Sequence, residues 1–220
     1  MAISAVVTQS TQFGGLGGTT SGINTTGADL IVVALCYYNP GGPNISDSKG
    51  NTWTPMSTYN SNNSSVRMYY CSNPTVGSGH TFTTTSTFCG VNIIAVGGAR
   101  TASTPVDQQN GDASTGSSNP QTTGSITPSV NGCLIVTGFY QASPGSAPTI
   151  PSGYTSVGTW ATGTAFLGGC AYKIQGTASA ENPGWTPGNP GFTFAANIAD
   201  FMPPAAAVTS HNLTLLGTGT

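Results

Sequence analysis

The side chains that could carry acid–base catalysis are few in this sequence: two histidines, His80 and His211, and six carboxylates. A Ser–His–Asp hydrolase would need a histidine as its base and a serine on a strained turn, and no GxSxG motif occurs. A glycosidase would need two facing carboxylates. No pair stands out by spacing among Asp29, Asp47, Asp107, Asp112, Glu181 and Asp200. We therefore predict that the protein is not an enzyme and has no catalytic residues.

Two other features could hold a metal ion. The segment DQQNGD, residues 107–112, offers two carboxylates and three amides, the oxygen ligands that Ca²⁺ prefers, but it lacks EF-hand spacing and resembles an ordinary polar turn. The five cysteines are widely separated and form no CxxC motif, so a zinc site is not expected. We predict no metal and no other cofactor, with the cysteines as buried free thiols or in one or two disulfides.

The stretch ISDSKGNTW, residues 45–53, gathers Asp47, Lys49 and Asn51 in a chain that is only 5% charged. Gly50 can adopt a positive φ, and the short polar side chains can bond to nearby backbone, so the stretch predicts a hairpin tip. An Asp47–Lys49 ion pair at such a tip would contribute little to stability.

Aromatic side chains provide the remaining candidate contacts. Lectin-like β-sandwiches bind glycans through exposed aromatic rings and amides, whereas Trp and Tyr can equally fill a core. The candidates for glycan or partner contacts are Trp53, Tyr59, Trp160 and Trp185, with the amides of Asn60, Asn62 and Asn63 nearby.

The charge content excludes several classes of partner. The four basic residues are scattered, whereas nucleic-acid binding needs a clustered basic surface, so no nucleic acid is expected. No apolar run approaches the ~20 residues of a membrane span. The hydrophobic share of 37% and net charge of −2 argue against disorder. Solubility must therefore come from hydroxyls and amides.

Internal similarity indicates how the chain is organised. GADLIVVALCYY at 27–38 matches NGCLIVTGFYQA at 131–142, and VNIIAV at 91–96 matches ANIADF at 196–201, at a period near 104 residues. In the same alignment SGHTFT at 78–83 lies opposite ENPGWT at 181–186. We predict two tandem copies, 1–100 and 101–203, within one sandwich spanning 1–203, followed by a tail at 204–220. Two independent small sandwiches are the alternative.

Short apolar runs separated by Gly, Pro and Thr predict an all-β fold, an antiparallel, jelly-roll-like β-sandwich. The run at 30–38 is apolar on both faces, as in a central strand covered on each side. Strands are predicted in the first copy at 4–9, 29–38, 43–47, 53–58, 65–71, 80–85 and 90–97. In the second copy they are predicted at 105–108, 124–127, 133–141, 154–160, 165–174, 184–186 and 192–201.

The pattern TTGADLIVVALCYY, ISDSKGNTWTPM and VRMYYCSNPTVGSGHTFT, followed by the weaker copy AYKIQGTASAENPGWT, resembles uncharacterised β-sandwich proteins of bacterial and phage genomes. The resemblance covers nearly the whole chain, transfers no catalytic residue, and implies a virion or surface protein.

Function is therefore expected to be structural. The first residues lack a signal peptide, which favours a protein made in the host cytoplasm and carried on a virion, with an extracellular location as the alternative. We expect a capsid decoration (cement) or other phage surface protein, forming a homo-oligomer on a major capsid or other virion protein. The alternative is a carbohydrate-binding adhesion module that recognises a cell-surface glycan.

Overall fold

The computed structural model describes residues 2–39, 41, 43–101, 104–115, 119–162 and 165–205. The predicted tail is therefore described only as far as Ala205, and His211 lies outside the described residues. Across the described ranges the chain forms fourteen β-strands, and no helix there is long and apolar enough to cross a membrane.

Seven strands lie in each half of the chain. Those of the first half are β1 (Ser4–Phe13), β2 (Leu30–Tyr38), β3 (Ile45–Asp47), β4 (Thr54–Ser61), β5 (Ser64–Ser72), β6 (Phe82–Thr84) and β7 (Cys89–Gly97). Those of the second half are β8 (Val106–Thr115), β9 (Gln121–Thr122), β10 (Leu134–Gln141), β11 (Thr155–Ala161), β12 (Leu167–Ile174), β13 (Gly184–Trp185) and β14 (Thr193–Phe201).

Each half builds one five-stranded antiparallel sheet. The first sheet runs β1-β7-β2-β5-β4, and the second, read from its β8 edge, runs β8-β14-β10-β12-β11. Counting only the five long strands of each half, both orders are first, fifth, second, fourth, third. The sheets are therefore built to the same plan, and the edge strands of each pair with no further strand among the described residues.

The two sheets pack face to face. Strand β2 packs against β10, edge strand β1 against β11, and edge strand β4 against β8. If the two halves of the chain are exchanged, the β1–β11 pair becomes the β8–β4 pair, and the β2–β10 pair becomes itself. The core between the sheets is aliphatic at its centre, with Val32 and Ala34 from β2 opposite Leu134 and Val136 from β10.

A small layer covers the outer face of each large sheet. In the first half it contains the β3–β6 pair, and Ile23 bridges to His80 beside it. In the second half it contains the β9–β13 pair, and Ile126 bridges to Glu181. Phe82 and Trp185 fill the spaces beneath these layers, so β2 and β10 are buried on both faces, as the apolar runs predict.

The predicted all-β antiparallel fold is confirmed. Two local predictions differ from the structure. Residues 124–127 form only an isolated bridge at Ile126, and the DQQNGD segment lies inside the ten-residue edge strand β8. The strand lacks an apolar period because its side chains bond to neighbouring loops, as when Asp107 Oδ2 accepts the N–H of Ser129 at 2.6 Å. The segment is thus extended rather than a cation-binding turn.

The predicted hairpin tip at 45–53 is wrong in its pairing. Gly50 has the expected positive φ of 72°, but β3 pairs with β6 and β4 pairs with β5. The turn therefore carries the chain from the small outer layer to the large sheet. Its polar residues lie where those two layers meet.

Candidate functional site

Asp47, at the end of β3, is the centre of a polar cluster beneath the outer layer of the first half. Its Oδ1 accepts the backbone N–H of Lys49 at 2.7 Å, and its Oδ2 accepts the Trp53 Nε1–H at 2.8 Å. The bond between Asp47 and Lys49 is therefore a side chain-to-backbone bond of the kind that stabilises Asx turns.

His80 joins Asp47 to the loop before β2. Its Nε2 lies 3.2 Å from Asp47 Oδ1, in an electrostatic contact whose angle is poor for a hydrogen bond. Its Nδ1 lies 2.9 Å from Thr25 Oγ1, and the ring stacks on Phe82 at 4.4 Å. We call Thr25, Asp47, Trp53 and His80 the Asp47 cluster.

The order Thr–His–Asp in the Asp47 cluster is that of a hydrolase relay, but the cluster is sealed. The side chains of Asp47 and His80 and the whole of Thr25 are 0% exposed. Thr25 Oγ1 also accepts the Gly77 N–H at 3.1 Å and lies 3.2 Å from the Gly77 carbonyl oxygen. A nucleophile must reach its substrate, so this arrangement serves to fasten the outer layer to the large sheet.

Electrostatics in the Asp47 cluster follow from its burial. Burial alone would raise the pKa of Asp47, but the N–H groups of Lys49, Asn51 and Trp53 and the nearby His80 outweigh it and lower that pKa. Burial lowers the pKa of His80 despite the adjacent carboxylate. The structure therefore favours a charged Asp47 beside a neutral imidazole.

The second half places a different cluster at the corresponding position. Glu181 forms a bridge with Ile126 in the same way that His80 forms a bridge with Ile23, so Glu181 corresponds to His80 in the structure. The alignment of the two sequence copies instead places Pro183, two residues further on, opposite His80. Glu181 accepts hydrogen bonds from Lys173, from Gln175 Nε2 at 2.8 Å and from the Tyr154 hydroxyl at 3.1 Å. We call Tyr154, Lys173, Gln175 and Glu181 the Glu181 cluster.

Two of the four predicted contact aromatics are core residues, and this corrects the expectation for them. Trp185 is 0% exposed, stacks on Phe139, and donates its Nε1–H to Thr137 Oγ1 at 3.0 Å. Trp160 is 9% exposed and packs over Gly90 of the facing sheet and beside Tyr140. Their large apolar surfaces are used to join layers and are withheld from a ligand.

The other two predicted aromatics are partly buried. Trp53 uses its indole N–H on Asp47 and packs edge-on against Phe82. The Tyr59 ring covers Gly111 of β8, and burial raises its pKa. Asn62, in the tight turn between β4 and β5, has a φ of 52°, which is turn geometry that Asn tolerates. The four candidates are therefore dispersed and form no common surface.

A pocket at the end of β2 is a concave site that the sequence did not indicate. It lies between the turn after β2 and the loop before β7, with a volume of about 210 Å³. Its lining is uncharged, and consists of Tyr37, Tyr38, Asn39, Gly41, Thr85, Ser86 and Thr87. The only sequence signals for it are Asn39 and Gly41 after β2 and the run of hydroxyl residues at 83–87.

One edge of the pocket is held in an unusual conformation. Phe88, directly after the lining residue Thr87, has a φ of 44°, an outlier for a bulky side chain. Its N–H donates to the Gly15 carbonyl at 2.8 Å, and its carbonyl accepts the Tyr140 hydroxyl at 2.9 Å. The neighbouring Leu16 is 85% exposed between glycines. Hydrogen bonds from two other segments, at Gly15 and Tyr140, thus hold the strained residue in place.

A metal site is not formed by side chains of the described ranges, where no group of three or more His, Cys, Asp or Glu residues comes together. All five cysteines are free thiols and are buried, as the first of the two cysteine alternatives predicts. No protein-family profile, curated protein or solved structure matches the chain.

Proposed function

We propose that the protein is a non-enzymatic structural component of a virion surface, a decoration protein that attaches to a larger assembly. The observation that carries this proposal is the sealing of the Asp47 cluster, the one relay-like arrangement in the described chain. The polar side chains of this cluster are buried between layers of the fold, where they cannot contact a substrate. The outer surface of the protein is therefore the part that is available for binding. With 5% charged residues, that surface binds by shape and by hydroxyl and amide contacts.

The sheet plan supports this role. We infer that the halves are tandem copies, because the long strands follow one order in both sheets and the facing pairs interchange. The jelly-roll likeness stays a prediction. The edge strands β1, β4, β8 and β11 pair with no further strand in the described part of the chain. Their outer backbone groups could pair with a capsid protein or with another copy of the chain, and so favour a homo-oligomer on a particle.

The test is attachment to particles. Particles released from the organism that encodes the chain would be purified on a density gradient, washed in high salt, and probed with an antibody to this protein. We expect the protein to stay with the particles, since few charges are available for salt to screen. Recovery only in the soluble fraction would overturn the proposal.

A second candidate function, binding of a neutral glycan, is favoured by the uncharged pocket at the end of β2. Hydroxyl and amide groups beside aromatic rings are the combination by which proteins recognise uncharged polar ligands. A glycan array with the full-length protein would test it, and a profile without binding to any neutral glycan would exclude it.

A further inference from the structure

We propose that the pocket at the end of β2 is a subsite for one neutral sugar ring. This inference rests on the second candidate function and gives it a location away from the aromatics that the sequence indicated.

The size of the pocket suits one small ring. Its volume of about 210 Å³ is below the ~300–1,000 Å³ of sites for drug-sized ligands. Asn39 and Thr85 are exposed at the rim of the pocket, whereas Tyr37 is only 1% exposed and is almost closed to solvent. A ligand would therefore mainly contact the polar groups at the rim.

The chemistry of the lining specifies a neutral ligand. Hydroxyls of Thr85, Ser86 and Thr87 and the amide of Asn39 can both donate and accept hydrogen bonds, as sugar hydroxyls do. Among the described residues the lining contains no cationic side chain to balance a phosphate or a carboxylate on a ligand. Tyr38, with its ring packed edge-on to Phe166, gives the wall a fixed position.

The strained Phe88 next to this lining is consistent with a preformed site. A positive φ at a bulky residue costs on the order of 1–3 kcal/mol and persists only where surrounding contacts hold it. Here Gly15 and Tyr140 supply those contacts. The fixed backbone at Phe88 also fixes the position of the neighbouring Thr87 in the wall of the pocket.

The second half provides an internal comparison. The corresponding turn after β10 and the loop before β14 pack directly on each other, because Gly188 lies against Ser146 so closely that a Cβ there would fall 1.8 Å from the Ser146 carbonyl oxygen. Asn189 Nδ2 also donates to the Pro144 carbonyl at 2.7 Å. The space between these two loops is therefore open in the first half and closed in the second half. The fold itself does not require a pocket at this position.

The test measures binding of single sugars to the full-length protein by saturation-transfer NMR and calorimetry. The probes are methyl glycosides of glucose, galactose, mannose and N-acetylglucosamine, with glucose 6-phosphate and sialic acid as charged comparisons. The test variant is Asn39→Gly with Thr87→Val, which keeps the positive φ of 70° at position 39 and the side-chain shape at 87. The control is Asn73→Gly with Thr81→Val, because Asn73 has a similar φ of 55° outside the pocket.

We expect at least one neutral glycoside to bind, and the test variant to weaken it roughly ten-fold, as the loss of two hydrogen bonds predicts. The control variant should bind like the wild type, and thermal unfolding should show that both variants are folded. Binding that is unchanged in the test variant would overturn the pocket assignment while leaving glycan binding in place. Absence of binding by every neutral probe, or tighter binding of the charged ones, would overturn the subsite.

Discussion

The Asp47 cluster and the Glu181 cluster occupy corresponding places, but they fasten their outer layers by different physical means. Asp47 is buried and is surrounded by N–H donors and a neutral imidazole. Glu181 is partly solvated, with a side chain 13% exposed, and pairs with Lys173, whose side chain is 24% exposed. One layer is therefore held by a desolvated carboxylate and the other by an ion pair near water.

The difference between the clusters matters for stability. Removal of a buried carboxylate leaves its buried N–H donors without an acceptor, whereas the partners of an ion pair near water can be hydrated. The two halves should consequently respond differently to the same kind of substitution. The predictions below compare them in order of expected effect.

The largest effect is expected for Asp47→Ala. The substitution removes the acceptor of Trp53 and of the Lys49 N–H, and leaves His80 without its carboxylate. We expect a loss of about 3–5 kcal/mol in the free energy of unfolding, measured by urea denaturation.

The control for Asp47→Ala is Asp112→Ala, a carboxylate of the edge strand β8. It should change the stability by less than about 0.5 kcal/mol. A loss for Asp47→Ala as small as this would show that the Asp47 cluster does not hold the outer layer.

Asp200 extends the comparison to a buried carboxylate that has few partners. Its Oδ1 accepts the Gln108 N–H at 2.8 Å and its Oδ2 is unpaired, so burial raises its pKa to about 6. A raised pKa means that stability is lost as the pH rises from about 4 through 6. We expect Asp200→Asn to remove a charge cost of up to about 3 kcal/mol at pH 7, and to have no such advantage at pH 4.

The measurement for Asp200 is the difference in unfolding free energy between wild type and Asp200→Asn at several pH values. Cys133→Ser serves as a comparison, since its thiol neighbours the carboxylate without carrying charge. A difference that is constant with pH would mean that Asp200 titrates in the folded protein as it does in the unfolded chain.

The Asp47 cluster should also make the first half sensitive to acid. The pKa values of His80 and Asp47 are both lowered, so the unfolded chain takes up protons first and stability is lost as the pH falls below about 6.5. This loss of stability in acid is best measured in the Asp200→Asn variant, which lacks the pH dependence of Asp200. We expect it to be smaller than the loss of stability caused by Asp47→Ala. It should diminish in His80→Gln, and an unaltered acid profile in that variant would exclude His80 as its source.

The smallest effect is expected for Glu181→Gln. The amide can still accept from Tyr154, and Lys173 can be hydrated, so we expect a loss of about 1 kcal/mol or less that shrinks further in high salt. Lys173→Met provides the reciprocal variant. A loss comparable to that of Asp47→Ala would remove the contrast between the two clusters.

The sequence predicts the large sheets well because their strands are long apolar runs. Leu30 and Leu134 are 0% exposed, in agreement with strands covered on both faces. Edge strand β8 is predicted only at its start, because its stability comes from backbone pairing and from amides such as Gln108 bonding to Thr127, which leave no hydrophobic period.

The candidate sites are harder to predict because they depend on contacts between distant segments. Thr25, Asp47 and His80 are separated by more than 20 residues in the sequence, and no motif connects them. The residue type of a tryptophan such as Trp185 does not distinguish a ligand contact from a core position, because both uses favour a large aromatic ring. The pocket depends on a gap between two turns, and the width of such a gap is set by tertiary packing that leaves no pattern in the sequence.

The buried thiols have a consequence for where the protein can work. Burial raises the pKa of Cys36, Cys89 and Cys133 to about 12, so almost no thiolate is present near neutral pH to react with an oxidant. Since all five cysteines are free and buried, folding needs no oxidising compartment. The same covalent chain would persist on passing from a reducing cell interior into oxygenated surroundings.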